Sequence, residues 1–195
     1  QYSKRMAAAY NETTHFKTGE KTNPEKAFRQ TVALAKAKNA DVIALLGDIV
    51  SYPSERAVEF VQEVMRESGI PYYYTCGNHD WHYEGMEGTS HELRKKWREE
   101  RLSQLFGKYD PVAYGVEHKG VRLLFFDTSN YEIESRQLDF IRKEAKSGVP
   151  FILFQHIPLY APSRSVAYGI GHPKWGAAAD GGYQTERRNR WPEGH

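Results

Sequence analysis

Three apolar runs in this chain stop abruptly at residues able to hold a hard or borderline cation. Residues 41–46 (DVIALL) lead into Gly47-Asp48. Residues 70–76 (IPYYYTC) lead into Gly77-Asn78-His79-Asp80. Residues 149–155 (VPFILFQ) lead into His156. Asp, Asn and neutral His form a mixed oxygen and nitrogen donor set, suited to Mn, Fe, Zn or Mg and unlike a soft thiolate site. A carboxylate can bridge two cations, and two cations about 3.5–4 Å apart can hold phosphate oxygens and generate a nucleophile from water at neutral pH. Asn is a weak, neutral ligand whose value is geometric: it fills a position without adding charge. The pattern therefore points to phosphoester hydrolysis at a two-metal rim. His79 would face the substrate, and Asp80 could hydrogen-bond its ring and favour the imidazolium. That pair could protonate a leaving alkoxide or stabilise the charged transition state. His82, beside the cluster, and Arg164, in the long tail, are the candidate substrate contacts.

Each residue also has a structural reading. Gly-Asp after a strand is often an ordinary turn, Asn-His-Asp after glycine can be a plain loop, and a lone His after a strand is commonly structural. The joint pattern carries the argument, because the fold can bring strand ends together whatever their separation in sequence. In open α/β sheets, ligands bind beyond the carboxyl ends of the strands.

The elements that must position these residues are legible in part. Asn23-Pro24 is a helix start, with Asn as N-cap and Pro at the first helical position. Ala27, Phe28, Thr31, Leu34 and Ala35 continue it at helical spacing, predicting a helix over about 24–38. Residues 41–46 form a short, continuous apolar strand of the doubly buried kind. Pro53-Ser54 opens a helix with an apolar stripe of Ala57, Phe60, Val61, Val64 and Met65, closed by Gly69. Residues 70–76 return as a strand, so the pair should be parallel. Ser90 can cap a helix carrying Leu93, Trp97, Leu102, Leu105 and Phe106. Its many Arg and Lys side chains read as a solvated face with local ion pairs. Residues 112–118 and 121–127 form a hairpin about His118-Lys119-Gly120. Residues 134–147 form a helix with Leu138, Ile141 and Ala145 on one face, and 149–155 form a third buried strand. Residues 1–22 and 157–195 lack periodicity. The first reads as a polar lead-in and the second as a long irregular loop or lid.

With 195 residues, 39% hydrophobic and 27% charged, the chain has enough apolar material for one sizeable globular domain. A net charge of +2 is too mild to favour nucleic acid as a partner. Cys76 is the only cysteine, so no intrachain disulfide forms. No apolar run approaches the roughly 20 residues of a membrane span. Both a cytoplasmic and an exported setting fit this composition.

LLGDIV, TCGNHD and ILFQHIPLY closely resemble three motifs of the calcineurin-like metallophosphoesterases, and the resemblance covers roughly residues 24–160. It implies an α/β fold (α+β by some schemes): a two-sheet β-sandwich of mixed strands flanked by helices, with a dinuclear centre at the strand ends. It implies Asp48 as the bridging ligand, Asn78 and His156 as ligands of one metal, and His79, supported by Asp80, near the leaving group. The cofactors implied are two divalent ions (Mn, Fe, Zn or Mg), and the substrate a small phosphoester or a phosphoprotein. The chain also departs from the family. No Asp-x-His precedes Asp48; His15 stands in THFK. Gly171-His172-Pro173-Lys174 has Lys where a closing Gly-His-x-His would have its second His, and Gly194-His195 follows no strand-like run. The expectation is a single, truncated domain whose two outer motifs lie beyond the ends of this chain. A non-catalytic metal-binding or protein-interaction module on the same fold, and a nuclease of the same family, are the alternatives.

Overall fold

The computed structural model describes residues 14, 18–81, 86–130 and 132–157. The expected lid over 157–195 lies outside the described residues except for Ile157, as does most of the lead-in. Helix α1 spans Pro24–Ala37, and its first turn is closed by Asn23, whose side chain accepts from the Lys26 amide at 2.8 Å. Strand β1 is Ile43–Leu45, helix α2 is Glu55–Ser68 and strand β2 is Tyr72–Tyr74. Ser54 caps α2, and Gly69 ends it with φ 71°, a left-handed conformation that glycine adopts without the Cβ penalty. β1 and β2 pair in parallel with Ile43 opposite Tyr72, as the strand–helix–strand order predicts. Both strands are shorter than the apolar runs that announced them, because the backbone turns away before Gly47 and Gly77.

A second sheet has the order β3-β4-β5, formed by Ala113–His118, Val121–Phe126 and Phe151–Gln155. β3 and β4 are antiparallel, joined by Lys119-Gly120 with both φ angles positive. That geometry belongs to the two-residue hairpin turns whose twist matches the strands. Helix α5 (Ser135–Lys146) crosses from β4 to β5, which run in parallel. The architecture is thus mixed α/β, with one purely parallel pair and one mixed sheet.

The two sheets meet through aromatic rings. Tyr114, Phe125 and Phe154 are cross-strand neighbours and stack at 4.9 Å per step. Tyr73 of β2 lies 5.6 Å from Phe125. The Tyr114 hydroxyl accepts from the Tyr74 amide and donates to the Tyr74 carbonyl, so one side chain satisfies both backbone groups of Tyr74. Behind β2, α2 buries Val58, Val61, Val64 and Met65. Each such side chain contributes about 1.5–3 kcal/mol relative to exposure.

Several local expectations change. Thr89, not Ser90, caps helix α3 (Ser90–Trp97), with Glu92 completing a capping box. A π-helical turn at Arg98–Leu102 leads into the short helix α4 (Ser103–Phe106). The basic face of α3 is not simply solvated: Arg94 is buried, and both Arg94 and Arg98 reach Asp127. β5 is not a buried strand, since Ile152 remains 51% exposed. On α5 the inward face carries Gln137, Phe140 and Glu144, while Leu138 points outward. No helix among the described residues is long and apolar enough to cross a membrane.

Candidate metal centre

β1 and β2 deliver two loops that touch backbone to backbone. Gly47 has φ 86° and Asp48 has φ 52°. A Cβ on Gly47 would overlap the Gly77 backbone, and one on Gly77 would overlap the Asp48 amide nitrogen and Oδ1. The glycine ahead of each polar cluster therefore permits the contact that puts Asp48 beside Asn78. This requirement was not read from the sequence, although the glycines were its visible signal.

Asp80 holds the contact in place. Its side chain is fully buried, with Oδ2 accepting from the amides of Asp48 (2.9 Å) and Gly77 (2.7 Å) and Oδ1 from Val50 (2.9 Å). Burial pushes this carboxyl up to about 6, while the Val50 and Gly77 amides pull the other way. The expected bond from Asp80 to the His79 ring is replaced by these three amide bonds. Among the described residues His79 Nδ1 has no hydrogen-bond partner and is buried, whereas the His79 amide donates to Asp48 Oδ1 at 2.9 Å.

β5 brings the third candidate to the same rim. His156 Nδ1 lies 2.8 Å from the Leu46 carbonyl, a contact in which only a protonated nitrogen can donate. That leaves Nε2 directed at the other two side chains, 3.2 Å from Asn78 Oδ1 and 3.4 Å from Asp48 Oδ2. Burial works against the charged imidazole, but the Asp48 carboxylate and the Leu46 carbonyl outweigh it and raise the His156 pKa above the usual value. Burial likewise works to raise Asp48, and the His156 ring and the His79 amide outweigh it, so this carboxyl lies below its usual range.

The three atoms form a set that a divalent cation fits. Ligands at roughly 2.0–2.2 Å from one ion stand about 2.8–3.6 Å apart at octahedral or tetrahedral angles. His156 Nε2 lies at such a spacing from each of the two oxygens, and its second ring nitrogen is fixed by a backbone carbonyl, so the donor chemistry and the ring orientation are those that such sites use. No group of three His, Cys, Asp or Glu side chains among the described residues could hold a metal. Asn78 is what completes this set. Asp48, Asn78, His79, Asp80 and His156 are therefore brought together, while His82 and Arg164 lie outside the described residues.

A further network lies directly behind the site. Asp127, at the end of β4, accepts from Arg94 Nε and Arg98 Nη1 at 2.9 Å each, and from the Ser129 hydroxyl at 2.5 Å. Ser129 Oγ in turn accepts from the indole N–H of Trp81 at 2.9 Å. The hairpin strand ending at Asp127 was visible in the sequence, but its partners, Arg94 on α3 and Arg98 in the π-helical turn after it, were not.

Comparison with known proteins places the fold and the family. The calcineurin-like phosphoesterase family pattern matches residues 14–183. A Fibrobacter succinogenes protein described as a "Probable cyclic nucleotide phosphodiesterase" is 30% identical over 122 residues, covering 62% of this chain and 43% of the relative. The chain thus spans less than half the length of that relative. The crystal structure of a dimetal phosphatase from Danio rerio has a similar fold, with a TM-score of 0.53 at 14% identity over 70% of this chain and 60% of that one. The matched region takes in all five residues of the rim, and the chain belongs to the calcineurin-like phosphoesterase family.

Proposed function

We propose that this chain supplies part of a metallophosphoesterase site, which hydrolyses a phosphomonoester or phosphodiester by direct attack of water and without a covalent enzyme intermediate. The observation that carries the proposal is the convergence of His156 Nε2, Asn78 Oδ1 and Asp48 Oδ2 at one rim. Asn78 and His156 would hold one divalent ion, and Asp48 would be shared between two. Bound divalent ions supply charge neutralisation at phosphate oxygens and a hydroxide source at neutral pH. His79 stands on the same loop as Asn78, with its amide fixed to Asp48 and its Nδ1 without a partner among the described residues. Its ring is the group available to protonate the departing oxygen. Asp80 acts at one remove, by holding the two loops together. The dimetal phosphatase neighbour supports the use of two ions, and the phosphodiesterase relative supports a diester as one substrate class.

The test uses the full-length protein with Mn²⁺, an aryl phosphate monoester and a bis-aryl phosphate diester. Turnover of either, lost with chelator and restored by metal, is the expected result; the preferred ester assigns the class. His79→Ala should lower kcat by about 10²–10⁴ while metal content stays level. Metal uptake without turnover of either ester would favour the non-catalytic module.

A further inference from the structure

We propose that Ser129 and Trp81 form a positioning pair for His79, oriented from behind by Asp127 and its two arginines. The geometry stands on its own; the catalytic consequence rests on the phosphoesterase reading.

Trp81 directly follows Asp80, and its side chain is only 3% exposed. The two residues leave the loop in different directions. Asp80 is pinned to the backbone of the β1 loop, and Trp81 to the segment after β4 through the 2.9 Å bond from its indole N–H to Ser129 Oγ. His79 sits immediately before these two anchors, so its ring position depends on both. The Ser129 hydroxyl is itself directed. It donates to Asp127 Oδ1, the Ser129 amide donates to the same oxygen at 3.0 Å, and its lone pairs are left for Trp81. Asp127 Oδ2 is occupied by Arg94 and Arg98, and Arg94 also reaches Glu134 at 3.2 Å. The chain of bonds thus runs from α3, through the end of β4, to the loop bearing Asn78 and His79.

Stability alone gives a poor account of this network. Asp127 and Ser129 are at most 1% exposed and Arg94 is 4% exposed. Burying such charges costs several kcal/mol of desolvation per ion, which their attraction roughly offsets, and apolar replacements of similar volume are often as stable. What an apolar core could not provide is a hydroxyl with a fixed orientation beneath Trp81. A misplacement near 1 Å at a reacting group can cost about 10²-fold in rate, so a device that fixes the loop exit has a function to serve.

The experiment compares Ser129→Ala, Trp81→Phe and the double variant, with kinetics in the full-length, Mn²⁺-loaded protein; Asp127 is left intact because its loss would strand the buried Arg94 and the half-buried Arg98. Each single variant should lower kcat about tenfold, with KM within roughly twofold and metal content unchanged. The double variant should be no slower than either single one, because both remove the same bond. In metal-free, ¹⁵N-histidine-labelled protein, where no paramagnetic ion broadens the lines, the His79 ring signals, assigned with His79→Ala, should shift or broaden in both single variants while those of His118 stay in place. Unchanged kcat and unmoved His79 signals, with a lower melting temperature, would overturn the proposal and leave the pair a packing feature. Absence of turnover in the wild type would sink the phosphoesterase reading instead. The His79 signals then decide the pair by themselves: movement supports it and constancy overturns it.

Discussion

The Asp80 carboxylate accepts from the amides of Asp48, Val50 and Gly77, so Asp80→Ala would leave three backbone donors without their partner. Each such loss costs about 1–3 kcal/mol. Asp80→Ala should therefore destabilise the metal-free protein by about 3 kcal/mol or more, read from the urea midpoint at unchanged m. A loss under about 1 kcal/mol would mean that the two loops hold together without it. The identity of the rim residues was legible in the sequence: Asp48, Asn78, His79 and His156 each follow an apolar run, and all four meet. The role of Asp80 was not. Adjacency to His79 suggested a ring partner, and nothing in the sequence shows which backbone will fold over a carboxylate from a distant strand. The ends of α3 and β4 pose the same difficulty. Arg94 and Arg98 at helical spacing look alike whether they face water or a buried Asp127 about thirty positions on.

At the scale of elements, the turn between β2 and its polar cluster is the sensitive point. A Cβ on Gly77 would meet Asp48 backbone and side chain together, with no flexible side-chain tip to give way. Gly77→Ala should destabilise by about 1–3 kcal/mol or more and also weaken metal binding, because Asp48 must move. Equal metal affinity in Gly77→Ala and wild type, measured by calorimetry, would contradict the close approach. Helix and strand identity came through in the sequence because capping and periodicity are local: Asn23, Ser54 and Gly69 all act as their types suggest. The face of α5 did not. Apolar spacing favoured Leu138, Ile141 and Ala145, yet Gln137 lies inward because its amide donates to the carbonyls of Val112 and Asp127 at 2.9 Å each. Glu144 lies inward because it pairs with Arg122 at 2.9 Å. Polar groups that find partners can take a buried face, and periodicity cannot see the partners.

Across the whole molecule, the site depends on both sheets. β1 and β2 give Asp48 and Asn78, β5 gives His156, and the bond from His156 Nδ1 to Leu46 joins the carboxyl ends of the two sheets. Tyr73, Tyr114 and Phe125 keep the sheets in register behind that join. A cation bound at the rim would link both sheets and stabilise the fold through mass action, by about 2.7 kcal/mol at a hundredfold excess over Kd.

Mn²⁺ titration calorimetry on the chelator-stripped, full-length protein, compared across Asp48→Ala, Asn78→Ala, His156→Ala and His79→Ala, tests the central claim most directly. The account predicts binding to the wild type, near-wild-type affinity in His79→Ala, and marked weakening in each of the other three. Wild-type affinity retained in Asp48→Ala and His156→Ala would contradict it.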